Sequence, residues 1–233
     1  MAPPLRRPPA GHPAHHRPPP GRTATLTTLV ALSALVPGAL LAAPVDDAVA
    51  ALQRDWEVVR YQAPSSDRAK LYEKLAARAH EVSAAFAGQA APLVLEGVIV
   101  SSLAAERGGF SALGLAKRAK ALYEQSLQID PRALGGLACD GLGMLYFKVP
   151  GWPLAFGDKD KAGEWLREAL AVDPDGLDAN FHYGEYLLET HREAEARAYL
   201  ERVLRAPSRP GRNIGDTARR EEARALLARL KAS

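Results

Sequence analysis

Cysteine is almost missing from this chain. Cys139 stands alone among 233 residues, which excludes an internal disulfide. Alternating apolar and polar residues are scarce too, and apart from the short run Leu93–Val100 nothing reads as a strand. Metal-ligand spacing is also lacking. Past residue 42 only His80, His182 and His191 remain, and no pair of them has zinc-site spacing. The stretch Asp158–Gly163 opens like a calcium loop, but Ala162 and Ala169 stand where the third ligand and the bidentate acid are needed. Asp158 reads instead as a helix cap. Gly136 to Gly141 has phosphate-loop spacing, yet Leu142 and Gly143 replace the required Lys and Ser/Thr. No catalytic residue, metal site or cofactor is therefore expected, and the reading turns from chemistry to binding.

The first 42 residues differ in kind from the rest. Residues 1–22 carry Arg6, Arg7, Arg17 and Arg22, no acid, and many prolines. An uncharged run follows from Thr23 to Ala42, apolar from Leu26 to Val36 and interrupted at Pro37-Gly38. Basic front, short apolar centre, breaker and small residues predict a Sec-type signal peptide cut after Ala42, and a periplasmic or secreted mature chain. The rival is a retained anchor, since the run is about the 20 residues a span requires. Membrane contact is then expected only through an uncleaved leader. The leader's four arginines reduce 30 basic residues to 26, against 27 acids. The whole-chain charge of +3 thus becomes −1, and the basic pI gives no reason to expect a nucleic-acid partner.

What fills the remaining 191 residues is helical periodicity, with apolar residues at i, i+3, i+4 and i+7. Breakers at Pro64, Gly88, Gly108-Gly109, Pro131, 150–157, Pro174 and 207–211 divide it. Nine helices are predicted: 46–62, 67–87, 91–106, 111–129, 134–147, 159–172, 177–190, 192–205 and 215–231. The chain also repeats itself. Ala162, Leu166 and Leu170 align with Ala196, Leu200 and Leu204 at an offset of 34. Ala119, Leu127, Asp130 and Pro131 align with Ala162, Leu170, Asp173 and Pro174 at an offset of 43. A period near 34 marks a helix-turn-helix array, in which stacked hairpins share one continuous core.

The residues at the repeat positions resemble those of tetratricopeptide repeats of secreted bacterial type. Leu142-Gly143 and Tyr146 are followed by Ala162, Leu166, Ala169 and Pro174. The next unit has Tyr183-Gly184, Ala196 and Leu200, and an earlier one has Gly97, Ala119, Tyr123 and Pro131. Glycine and alanine belong where paired helices cross, and proline closes each unit because it cannot continue a helix. The resemblance implies an all-α solenoid of antiparallel helix pairs. Residues 43–90 form a degenerate or capping pair, 91–207 the repeats, and 208–233 a capping helix with one apolar and one wet face.

Two departures from the repeat length stand out. Seven extra residues lie between Tyr146 and Ala162, in a loop over 148–158, and extra length surrounds Arg107-Gly108-Gly109-Phe110. The loop resembles one in the proteins linked to TRAP-transporter T components. Trp152 and Phe156 sit in it among prolines, where no helical periodicity asks for them. They either plug a gap between units or meet a ligand, and Tyr146 and Phe147 flank them. A groove lined by first helices would also present Val94, Val98, Ser101, Asp140, Met144, Asp178, Phe181, His182 and Glu185. The expected function is a non-enzymatic scaffold of the cell envelope that binds a protein or peptide. The alternative is an accessory subunit that holds a small organic ligand for a TRAP-type transporter. An enzyme would need a convergent acid/base or metal cluster that the sequence does not show.

Overall fold

The computed structural model describes residues 37–232, with side chains from Val45 to Leu230. The basic front of the leader and its apolar run Leu26–Val36 lie outside the described residues. Among the described residues nine α-helices follow in order: α1 Pro37–Tyr61, α2 Ser65–Ala85, α3 Ala90–Arg107, α4 Gly109–Ile129, α5 Leu137–Lys148, α6 Lys159–Val172, α7 Leu177–Glu189, α8 Glu193–Arg205 and α9 Asn213–Ala232. A single 3-10 turn, Ala133–Gly135, precedes α5, and no strand occurs among the described residues. The main surprise at the level of elements is α1. Its described part runs from Pro37, where a break was expected, through Ala42 and Ala43.

Antiparallel neighbours pair as α1–α2, α3–α4, α5–α6 and α7–α8, and each odd-numbered helix also packs on the next odd one. The small repeat residues sit at the crossings. Ala119, Ala162, Ala169 and Ala196 have no accessible surface, nor do Leu166 and Leu200 beside them. Each such leucine contributes about 1.5–3 kcal/mol by leaving water. Gly97 and Gly141 both lie under the buried ring of Tyr123. The glycines of the supposed phosphate loop are therefore packing sites. Pro131 and Pro174 come directly after the C-caps Asp130 and Asp173, where the array turns.

The segment Leu93–Val100, strand-like in sequence, lies inside α3 and is buried nearly all round. A helix with no wet face loses its polar periodicity, which explains the misleading pattern. The largest core joins α1 to α5 through Leu52, Tyr72, Leu95, Ile99, Tyr123 and Leu142. Cys139 is buried, and burial pushes its thiol up to about 11, so it stays protonated and inert near neutrality.

Candidate functional site

The expected groove is largely filled by contacts within the chain. Phe147 and Phe181 are buried, at 8% and 5% exposed. Phe147 meets Tyr186 edge-on at 5.6 Å, and the Lys148 ammonium sits 4.3 Å above its ring. Arg219 of α9 covers Phe181 at 4.4 Å. His182 Nδ1 lies 2.7 Å from Asp140 Oδ2, which links α7 to α5. Glu185 accepts from Lys148 Nζ at 2.9 Å. Four of the seven proposed contact residues therefore join neighbouring helices.

One end of this face is closed by charge. Asp178 Oδ1 accepts from Arg219 Nε at 3.0 Å, and its Oδ2 accepts from Arg209 at 2.7 Å. Arg209 also reaches Asp216 at 2.8 Å, and Arg212 binds Glu57 of α1. Glu57 further accepts the backbone N–H of Gly215 at 3.1 Å. Burial alone would raise the Asp178 pKa. Arg219, Arg209 and Arg212 more than offset it and hold the carboxyl well below its usual range. Arg219, expected on the wet side of the last helix, is instead only 6% exposed. The first and last helices among the described residues thus meet. No local signal could have shown this, because 155 residues separate Glu57 from Arg212.

The inserted loop is ordered by its own backbone. Gly157 N donates to Pro150 O and Asp158 N to Tyr146 O, both at 2.9 Å, which pinches the loop shut at its neck. A Cβ on Gly157 would stand 1.9 Å from the Val149 oxygen, so only glycine fits that neck. Asp158 then caps α6, as expected, by accepting from the N–H groups of Asp160 and Lys161 at 3.0 and 3.1 Å.

The two loop aromatics part company. Phe156 is half-buried and meets Tyr146 edge-on at 5.6 Å, packed against the main core. Trp152 is 90% exposed. Leu154 of the same loop is 66% exposed.

The extra length near Gly108 forms no loop at all. Gly108 and Gly109, both at φ +60°, turn the chain at once, and the added residues lengthen the helices instead. α3 and α4 have 18 and 21 residues, against 12 and 14 in α5 and α6. Between this hairpin's tip and the inserted loop opens a cleft of about 440 Å³. Ala104, Leu113 and Ala116 line one side, Leu145, Val149 and Leu154 the other, with Lys148 also in the wall. Phe110 stands at the cleft and is 86% exposed. Both departures from the repeat therefore converge on one apolar surface. Sequence reasoning singled out both segments but missed Phe110 and Leu154 as contact residues. Their exposure was hidden because apolar residues near turns more often fold inward.

Helix order, crossings and pairing now allow comparison with known folds. A crystal structure of a thermophilic TPR protein from Thermus thermophilus superposes with a TM-score of 0.53, at 17% identity, over 82% of this chain and 95% of that one. The fold is a tetratricopeptide-like solenoid. No protein-family model and no curated protein matches the chain. At this identity the likeness carries the fold alone. The tetratricopeptide-like frame accounts for Gly97, Gly143 and Gly184 at the crossings, while the cleft arises where the frame is exceeded. Among the described residues, no helix is long and apolar enough to cross a membrane, and no three metal-ligating side chains cluster.

Proposed function

We propose that this chain is a non-enzymatic binding scaffold of the cell envelope. It takes a protein or peptide partner at the apolar cleft between the α3–α4 tip and the 148–158 loop. The leader anatomy of residues 1–42 supports the envelope location. The tetratricopeptide-like fold supports a protein partner in general terms, as such arrays work by presenting surfaces. One observation carries the choice of site. The two segments that depart from the repeat length enclose the same cleft, and the three most exposed large apolar side chains among the described residues, Phe110, Trp152 and Leu154, belong to them. Contiguous exposed apolar surface marks an interaction site.

A second reading rests on the cleft's size. At about 440 Å³ it falls within the range of small-molecule pockets, which fits an accessory subunit that holds an apolar organic ligand for a TRAP-type transporter. One experiment separates the two. A photoreactive residue at position 152, in the exported protein, is crosslinked in the envelope fraction, and the purified protein is examined by native mass spectrometry. A crosslinked polypeptide that is lost in Phe110→Ser and Leu154→Ser variants supports the scaffold. A retained small molecule lost in the same variants supports the accessory subunit. Crosslinking that is indifferent to both variants would remove the cleft from either role.

A further inference from the structure

The apolar cleft offers a partner no free charge to answer. Among the described residues of its wall only Lys148 is charged, and that ammonium already faces Glu185 at 2.9 Å and Glu189 at 3.7 Å. The two segments that enclose the cleft are uncharged from end to end. Residues 108–116 and 149–157 each run nine positions without Asp, Glu, Lys, Arg or His. Charges resume only at their flanks, at Arg107 and Lys117 on one and at Lys148 and Asp158 on the other. In a chain that is 24% charged, two such stretches meeting on one surface set this face apart from the rest.

A knob stands beside the hole. Trp152 is 90% exposed and does not line the cleft, although Leu154, two residues on, does. The loop is held in that shape by its own backbone. Inside the neck closed by Gly157 and Asp158, the N–H groups of Leu154 and Ala155 both donate to Gly151 O, at 3.1 and 3.2 Å. Turning the indole inward would break these bonds. A side chain fixed in this way loses little freedom when a partner covers it, and buried tryptophans dominate many contact sites.

We propose that the occupant of the cleft is a second copy of this chain, with Trp152 of each copy seated in the cleft of the other. This rests on the reading of the cleft as a contact site and names its partner. Two-fold association brings one surface against itself, so a charge near the axis meets its own kind. Like charges brought together oppose association, and an uncharged centre is what such an interface requires. An acidic or basic partner, or an anionic membrane, would find no opposite charge here. The area is sufficient as well. Phe110 and Trp152 would each bury about 150–250 Å². The wall they cover adds a similar amount, which brings each copy near the roughly 800 Å² of a standard interface.

Sedimentation velocity of the purified exported chain, over a hundredfold range of concentration, tests this. A reversible dimer is expected. Trp152→Ala should raise its dissociation constant tenfold or more and leave the melting midpoint of the monomer in place, since the side chain is exposed. Ala105 is an exposed residue of the cleft wall, and Ala105→Arg should weaken the dimer to the same degree by placing a charge there. The two variants mixed should associate more tightly than either alone and less tightly than the parent, because one intact knob then meets one intact cleft. A chain that stays monomeric, a dimer indifferent to Trp152→Ala, or a mixture no tighter than its parts would each overturn the proposal. A monomer that still crosslinks from position 152 to a different polypeptide would keep the cleft as a contact site and remove the second copy as its occupant.

Discussion

A Cβ on Gly143 would stand 2.6 Å from Leu166 Cγ, the branch point of a side chain with no accessible surface. At Gly184 the same test gives 3.0 Å to Leu200 Cγ. Two effects compete in a glycine-to-alanine change here. Alanine favours the helix by about 0.5–1 kcal/mol, while overpacking a core costs about 1–3 kcal/mol. At Gly143 the clash should win, and Gly143→Ala is expected to destabilise by about 1–2 kcal/mol in denaturant melts. At Gly184 the terms nearly cancel, and Gly184→Ala should shift the midpoint little. Equal losses at both sites would show that the crossings are equally tight. These glycines were legible in the sequence from their place in the repeat. The difference between them was not, because it depends on a few tenths of an ångström in how closely the leucine branch point approaches the backbone.

The inserted loop yields a second contrast. Phe156→Ala removes a half-buried ring from the core and from Tyr146, and a loss of about 1–3 kcal/mol is expected, below the range of a fully buried aromatic. Trp152→Ala touches an exposed side chain and should stay within about 0.5 kcal/mol of the parent. Thermal unfolding of the two variants checks this directly, and a large loss at Trp152 would mean that the ring folds inward. The sequence placed both aromatics in one loop and treated them as a pair. Only the neck formed by Gly157 and Pro150 turns one inward and leaves the other out.

Among the elements, α9 has the largest consequence. Its Ala223 and Leu227 cover Leu177, Phe181, Leu200 and Val203, the stripe its apolar periodicity foretold. Its arginines were read as a solvated flank, and for Arg224 and Arg229 that is right, since both are exposed. Arg219 instead holds the half-buried Asp178 of α7, and Arg212, just before the helix, holds the buried Glu57 of α1. Deleting residues 212–233 would therefore bare an apolar face and also strand Asp178 and Glu57 without their main partners. Glu57 is the buried one, and leaving a buried charge uncompensated costs about 3–5 kcal/mol, while the half-buried Asp178 would keep Arg209. Aggregation or loss of a sigmoidal unfolding curve is expected. A monomeric truncation that unfolds in one sharp transition would show that the array ends at α8. An opposite charge 41 residues away leaves no trace in periodicity, so this half of the helix's role was illegible.

For the molecule as a whole, the charge cluster makes stability depend on acid. Asp178 has its pKa lowered in the folded state from an ordinary 3.8. Its contribution is then complete above that value and is lost as the pH falls below it, because the unfolded chain binds the proton first. The stability advantage of the parent over Asp178→Asn should be constant near neutrality and shrink below about pH 4. Chemical denaturation at a series of pH values checks this. An advantage that persists unchanged at pH 2 would place the stabilisation elsewhere than in the ionised carboxylate. The solenoid itself was readable, since alanine, glycine and proline recur where stacking demands them. The cleft was half readable. Two length anomalies could be seen, but their meeting in space could not.

The contact between α1 and α9 also limits how this chain can change over generations. An open repeat array is extended or shortened by duplicating or losing a unit, because each hairpin touches only its neighbours. Here Glu57 must find both Arg212 and the Gly215 backbone. An added hairpin would move the last helix away from the first and leave Glu57 buried beside nothing. Repeat number is thereby fixed by geometry, and inheritance can vary the loops and surfaces far more freely than the count of units.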